Sequence, residues 1–241
     1  MRKPSLMSGL LWLFILFAAM SAFGQKKEPS PAKISFSETL WDFGHVPKTG
    51  IVSHTYWIKN IGQDSLTIVK VRPTCGCTTT PLSQKSLGAN ESADMKIFFD
   101  PRKMVTGEAT KKLQIISNDP VNPIAEVEFV AKLDSANSLV KLSPTEINFD
   151  TVAAGKEDSR NVSIQNISGE KLSMKVIEGP GENLDLQANS RMLKPGESIQ
   201  IALRLRKGAV PGNLQTSLTL DFEGTKVNRV TIPIFGVIVS Q

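Results

Sequence analysis

The feature that most constrains this chain is that it is written twice. "ISFSETLWDFGHV" (34–46) matches "VKLSPTEINFDTV" (140–152), and "IKNIGQDSLTI" (58–68) matches "IQNISGEKLSM" (164–174), each at an offset of 106 residues. The offset still holds at Leu87 and Leu193, at Glu91 and Glu197, and at Phe99 and Leu205. A spacing that stays constant over so many positions marks an internal duplication. Each copy is about 100 residues, the size of a compact domain, and the polar stretch "LDSANS" (133–138) reads as the joint.

Within a copy the periodicity is that of strands. Met95, Ile97 and Phe99 alternate with polar neighbours, as do Ile201, Leu203 and Leu205. Period two places such residues on one face of a half-buried strand. "KNIGQ", "SNDPVNP" and "KPGE" break the apolar runs as turns. About seven strands are expected in the first copy, near 34–37, 52–59, 65–71, 78–82, 93–99, 110–117 and 124–132, and no segment carries a helical stripe. That pattern predicts an all-β chain of two tandem immunoglobulin-like β-sandwich domains, with a small closed barrel as the alternative. The expected boundaries are 34–133, a linker at 134–138, and 139–241.

Positions apolar in both copies are expected to face inward: Phe43 and Phe149, Tyr56 and Val162, Ile58 and Ile164, Leu66 and Leu172, Phe99 and Leu205. Trp57 and Phe98 break the rule, standing on the outward phase where the second copy has Ser163 and Arg204. On neighbouring strands they would lie side by side on the sheet's outer face. They are either a cross-strand aromatic pair or a contact surface for a partner.

The N-terminus has the layout of a secretory signal over residues 1–24. Arg2 and Lys3 precede the apolar run Leu10–Met20, and Ala22 and Gly24 precede a cut before Gln25. That run of eleven residues is short of the roughly 20 that span a bilayer, and no later apolar stretch has spanning length. The expectation is a cleaved leader, a flexible segment at 25–33, and an exported protein of the periplasm or cell surface with no transmembrane segment. Loss of Arg2 and Lys3 lowers the formal charge from +5 to +3. Balanced charge of this kind supplies no basic stripe for nucleic acid.

Cys75 and Cys77 are the only cysteines, separated by Gly76 in "VRPTCGCTTT". In an oxidising compartment a local disulfide is the leading expectation, because Gly76 permits the sharp bend such a bridge requires. Two alternatives stay open: a Cu(I) site using both thiolates, and a pair of quiet reduced thiols. Zinc would want four ligands, and the chain has two histidines, His45 and His54, neither placed near the cysteines by sequence. No helix-borne Cys-x-x-Cys, nucleophile elbow, phosphate loop or His-Glu-x-x-His is present, so no enzyme and no cofactor are expected.

"WDFGHVPKTGIVSHTYWIKNIGQDSLTIVKVRPTCGCTTT" resembles the bacterial exported family called domain of unknown function fifteen seventy-three. The marks are Asp42-Phe43-Gly44, Val46, the Asn60 and Gly62 turn, Cys75-Gly76-Cys77-Thr78, Asp100 and "ISND" (116–119). The family is itself similar to the immunoglobulin-like domains of ciliary and centrosomal proteins. The resemblance covers 34–132 and implies that fold, export and a Bacteroidetes-like origin, with no activity. The second copy keeps Phe149, Val152 and Asn166 and carries Gly179-Pro180-Gly181 where the first has its thiols. The function expected is a non-enzymatic interaction or scaffold module of the cell envelope, whose partner is another envelope or secreted protein. Its rival is a thiol-based metal or redox protein acting through Cys75 and Cys77.

Overall fold

The computed structural model describes residues 31–105, 107–133 and 137–240. The expected leader, most of the segment at 25–33, and residues 134–136 of the expected linker lie outside them. Among the described residues, nine strands form in each half. The first half holds β1 (Ile34–Phe36), β2 (Leu40–His45), β3 (Val52–Asn60), β4 (Leu66–Pro73), β5 (Thr78–Thr79), β6 (Ser86–Leu87), β7 (Ser92–Phe99), β8 (Glu108–Ser117) and β9 (Ile124–Lys132). The second holds β10 (Val140–Ser143), β11 (Ile147–Ala153), β12 (Ser159–Asn166), β13 (Leu172–Glu178), β14 (Leu184–Ala188), β15 (Met192–Leu193), β16 (Ser198–Leu205), β17 (Gly212–Glu223) and β18 (Val227–Val239). One short 3-10 turn, Pro101–Lys103, is the helical element among the described residues.

The seven strands expected in the first half all form. The two missed are β2 and β6. β6 is two residues long, and β2 is interrupted by a register shift between Asp42 and His45. There Gly44 takes φ +65° and its N–H donates to Asp42 Oδ1 at 2.7 Å. A strand kinked by a left-handed residue loses the even alternation that announces strands in sequence.

The chain is all-β and immunoglobulin-like, and its strands form open sheets rather than a closed barrel. Strands β1, β3, β7 and β5 form one sheet, and β10, β12, β16 and β14 form its counterpart. The opposing sheets run together: β15-β13-β17-β18 continues through β2 into β9-β8-β4-β6, with β11 also paired to β18. Among the described residues two clusters of buried side chains form, one drawn from Ala32–Leu133 and the other from Val140–Ile238. All ten positions expected inward are buried. In the first core Phe43, Phe99 and Phe129 pack with ring centroids 5.1–6.4 Å apart, and the Tyr56 hydroxyl donates to the Glu128 carbonyl at 2.6 Å. Burial, with the Glu38 carboxylate adding to it, pushes the Tyr56 hydroxyl's pKa up, so the ring stays neutral.

The repeat extends to single hydrogen bonds. Asn60 and Asn166 are fully buried. The Asn60 amide donates to the carbonyls of Asp64, Leu87 and Gly88, and its oxygen accepts from Gly62 N–H. The Asn166 amide donates to Glu170 and Leu193, and its oxygen accepts from Ser168 N–H. Asn90 and Gly196, one repeat apart, both have positive φ, and their N–H groups bond to the Asn60 and Asn166 carbonyls. Each asparagine thus ties a turn to the strand ends beside it, satisfying backbone groups that no ladder reaches.

Asp119 does similar work in the first half alone, accepting from Ile34, Val121 and Asn122 N–H. Burial alone would raise its carboxyl, but these three donors outweigh it and hold it below the usual carboxylate range. A depressed carboxyl stabilises the fold above its unfolded pKa, and that contribution is lost as pH falls through the folded value. Asp119→Asn should therefore lower stability at neutral pH and reduce the acid-side dependence in denaturant titrations. Asn60→Ala leaves buried carbonyls unpaired and should cost about 1–3 kcal/mol in the same measurement.

Candidate functional site

Three places carry the residues of interest: the Cys-Gly-Cys loop, the outer face of β3 and β7, and the seam between the halves. In the loop, the sulfurs of Cys75 and Cys77 are placed at bonding distance, with Cα atoms 5.2 Å apart. Cys77 is buried, Cys75 is partly covered, and Gly76 is exposed with open space where a Cβ would be. Thr78 Oγ1 lies 3.5 Å from Cys75 Sγ and 3.8 Å from Cys77 Sγ. The loop is braced from the 3-10 turn: Lys103 Nζ donates to the Gly76 carbonyl at 3.2 Å, and Asp100 N–H to the Cys77 carbonyl at 2.9 Å. Asp100 is held below the usual carboxylate range by the Arg102 guanidinium, which meets both its oxygens at 2.8 and 3.0 Å.

The backbone half of this arrangement does not need sulfur. One repeat later, Arg206 N–H donates to the Asn183 carbonyl at 2.9 Å, the same bond in a loop with no cysteines. Among the described residues no group of three or more His, Cys, Asp or Glu side chains is disposed to hold a metal ion.

On the outer face, Trp57 is 53% exposed and Phe98 is half-buried. They do point outward from neighbouring strands, but they are not side by side. The register pairs Trp57 with Asp94 and Phe98 with Ser53, four positions apart, or about 13 Å along the strands. Membership of adjacent strands fixes the face, whereas register fixes who meets whom. Phe98 instead carries the Lys96 ammonium 5.1 Å over its ring. Burial lowers the Lys96 pKa, opposed by the Glu178 and Asp94 carboxylates.

The seam is the place that sequence reasoning missed. β1 ends at Phe36, and beyond it no strand among the described residues pairs with that edge of β3. Second-half side chains take that place. Ser217 accepts from Ser53 N–H at 3.1 Å and donates its hydroxyl to the Ser53 carbonyl at 2.8 Å. Glu178 Oε1 accepts from Thr55 N–H at 3.3 Å, and its Oε2 lies 3.0 Å from His54 Nδ1. His54 is buried, stacked flat on Trp41 with ring centroids 3.8 Å apart. The Arg229 guanidinium lies 5.4 Å over the Trp41 ring, grips Asp221 through two bonds of 2.7 and 2.9 Å, and donates to the Asp42 carbonyl. The paired Asp221 side chain raises the Arg229 pKa, so it is a permanent cation. Thr231 Oγ1 adds a 2.7 Å bond to the Phe43 carbonyl.

Close approach of β2 to β18 explains Gly44. A Cβ there would stand 2.2 Å from the Arg229 carbonyl oxygen. Asp150, its counterpart in the second copy, has the same left-handed backbone (φ +52°) yet is exposed, so a side chain fits. The signal for the seam was therefore present where the copies differ: Gly44 against Asp150, Trp41 against Ile147, His54 against Arg160.

With this geometry in hand, the first half can be placed. Residues 34–133 match the family "Protein of unknown function (DUF1573)". No curated protein matches the chain. Among solved structures, a protein of unknown function from Porphyromonas gingivalis W83 shares 14% identity, with 85% of this chain and 99% of that one covered at a TM-score of 0.36. The periplasmic chaperone SfaE shares 8%, covering 86% and 100%, TM-score 0.34. The ASH/PapD-like domain of human CEP192 shares 13%, covering 43% and 87%, TM-score 0.34. Scores of this size leave the topology to the strand pairing described above.

The segment that matches this family model contains the thiol loop, Trp57 and the first-half side of the seam. Two outcomes follow. Gly44→Ala should destabilise the protein by at least about 1–3 kcal/mol, the range for overpacking a closed site, whereas Asp150→Ala should be far milder in the same melt. Cys75→Ser with Cys77→Ser should keep the fold and cost about 1.5 kcal/mol at most, because the loop closed by a bridge two residues apart is so short.

Proposed function

We propose that this is an exported, non-enzymatic interaction module of the bacterial envelope, built from two immunoglobulin-like domains at 34–133 and 139–241 after a leader cut before Gln25. The observation that carries the reading is Trp57. An indole more than half exposed, in mid-strand on the outer face of a sheet, contributes little to the core that its neighbours Tyr56 and Ile58 fill. Large aromatics in that position are what protein interfaces use as anchors. The other copy has Ser163 at this place, so the fold itself does not demand an aromatic. Flanking Lys59 and Asp94 give the anchor a polar rim.

In this reading Cys75 and Cys77 form a local disulfide in an oxidising compartment, and their adjacency in a loop braced by Lys103 and Asp100 supports it. The bridge stiffens the loop and carries no chemistry. Intact mass of the protein taken from its native compartment should be two hydrogens lighter before reduction than after, and N-terminal sequencing should begin at Gln25.

The functional test is capture of partners from envelope extracts by the tagged mature chain. Trp57→Ser should lower affinity for a specifically captured partner by about 30-fold, the size of a single aromatic hot spot of about 2 kcal/mol, without changing the melting curve. Undiminished capture by the variant, or turnover of a substrate by the wild type, would count against the assignment.

A further inference from the structure

A recess of about 610 Å³ opens between the residues that follow β2 and the start of the second half. Of the residues that line it, Val46, Leu133, Val140 and Val230 are buried, and Leu142 is half-buried. Ile167 also lines it and is 55% exposed, so the folded chain leaves an isoleucine there uncovered. Small-molecule sites have this character: about 300–1,000 Å³, mostly apolar, with a few polar groups that orient the ligand.

The strand at the recess limits what can enter. β10 is the last strand of its sheet. Ile167 N–H bonds to the Leu139 carbonyl, and the register pairs Lys141 with Gln165. Alternation therefore turns the main chain of Leu139, Lys141 and Ser143 toward β12, and that of Val140 and Leu142 away from it. Ser138 Oγ accepts from Val140 N–H at 3.3 Å and lies 2.9 Å from the Val140 carbonyl oxygen. Only Leu142 keeps an unpaired main chain on this edge among the described residues of β10. One open residue is too short to seat an added strand, so the occupant must bind mainly through apolar contact.

Charge narrows the choice further. Lys48 and Lys141 line the recess, and no acidic side chain does so among the described residues. Lys48 Nζ donates to the Met104 carbonyl at 2.6 Å, which holds it in place without neutralising it. Neither lysine belongs to an ion pair among the described residues. Two unpaired ammonium groups beside a buried apolar lining complement a ligand that is anionic at one end and hydrocarbon at the other. We propose that the recess binds a single-chain carboxylate of the fatty-acid type. Its chain lies against Val46, Val140 and Val230, and its carboxylate meets Lys48 and Lys141. The site draws on both halves, and the first copy has Ser35 where the second has Lys141, so it arises from the pairing of the copies and from neither alone.

Calorimetric titration of the mature chain with dodecanoate, kept below its micelle concentration, should show one saturable site. Dodecyltrimethylammonium, with the same chain and the opposite charge, should not bind. Amide shifts on adding dodecanoate should centre on Val46 and Leu142, one from each half. Lys141→Glu changes an exposed side chain and turns attraction into repulsion, so it should weaken dodecanoate about tenfold with an unchanged melting curve. Ile167→Glu should weaken it as well and serves if the lysine variant does not fold. Absence of saturable binding, equal binding of the cationic amphiphile, undiminished affinity in either folded variant, or shifts centred elsewhere would overturn the proposal. Binding to phosphatidylglycerol vesicles without binding of dodecanoate would overturn it too, in favour of a membrane surface.

Discussion

A backbone polar group withdrawn from water must find a partner, and that rule shapes this molecule wherever its ladders run out. A β-sandwich meets most of the demand with strand pairing, but turns and strand ends fall outside it. Asn60 and Asn166 answer the demand at the same turn in each copy, each with one carboxamide reaching several main-chain groups. Asp119 answers it at the start of β1. At β3 the answer comes from the other half of the chain. β1 stops after three residues, and Ser217 and Glu178 complete the edge with a hydroxyl and a carboxylate. The two halves of the chain are therefore not independent; an edge in the first is finished by side chains of the second.

That dependence accounts for the departures from the repeat. The repeat supplies the same strand pattern twice, and the contacts between the two halves make new demands on only a few positions. Gly44 has no side chain because the Arg229 main chain occupies the space. Trp41 offers its ring to Arg229 and His54, and His54 lies beside Glu38 and Glu178, neighbours that Arg160, its counterpart in the second copy, does not share. Arg160 instead reaches back to Asp158 and the Asn148 carbonyl within its own half. The Cys-Gly-Cys loop is a different kind of departure. Its main-chain bond survives in the cysteine-free copy, so the sulfurs are added to a loop that forms without them.

Legibility in the sequence followed the range of the interactions. Alternation announced β3, β7 and their counterparts, since period-two burial is a local pattern. Agreement between the copies picked out Phe43, Tyr56, Ile58, Leu66 and Phe99 as core, and all are buried. The kinked β2 escaped because its hydrogen bonds to β9 come from far along the chain and its own alternation is broken at Gly44. Trp57 and Phe98 were assigned the correct face, but their separation depends on the β3–β7 register, which the alternation of one strand does not encode.

By itself, the amino-acid order determined the strand periodicity, the duplication, the interior of each sandwich and the turns that asparagine and glycine make possible. All of these arise from steric and hydrophobic preferences acting over a few neighbouring residues. Only the folded molecule decided that the larger sheets of the two halves meet through β2 and β18, that β3 is capped by Ser217 and Glu178, and that His54 sits between Glu38 and Glu178. Those contacts join residues more than a hundred positions apart, and their energies depend on distances that exist only once both cores have closed.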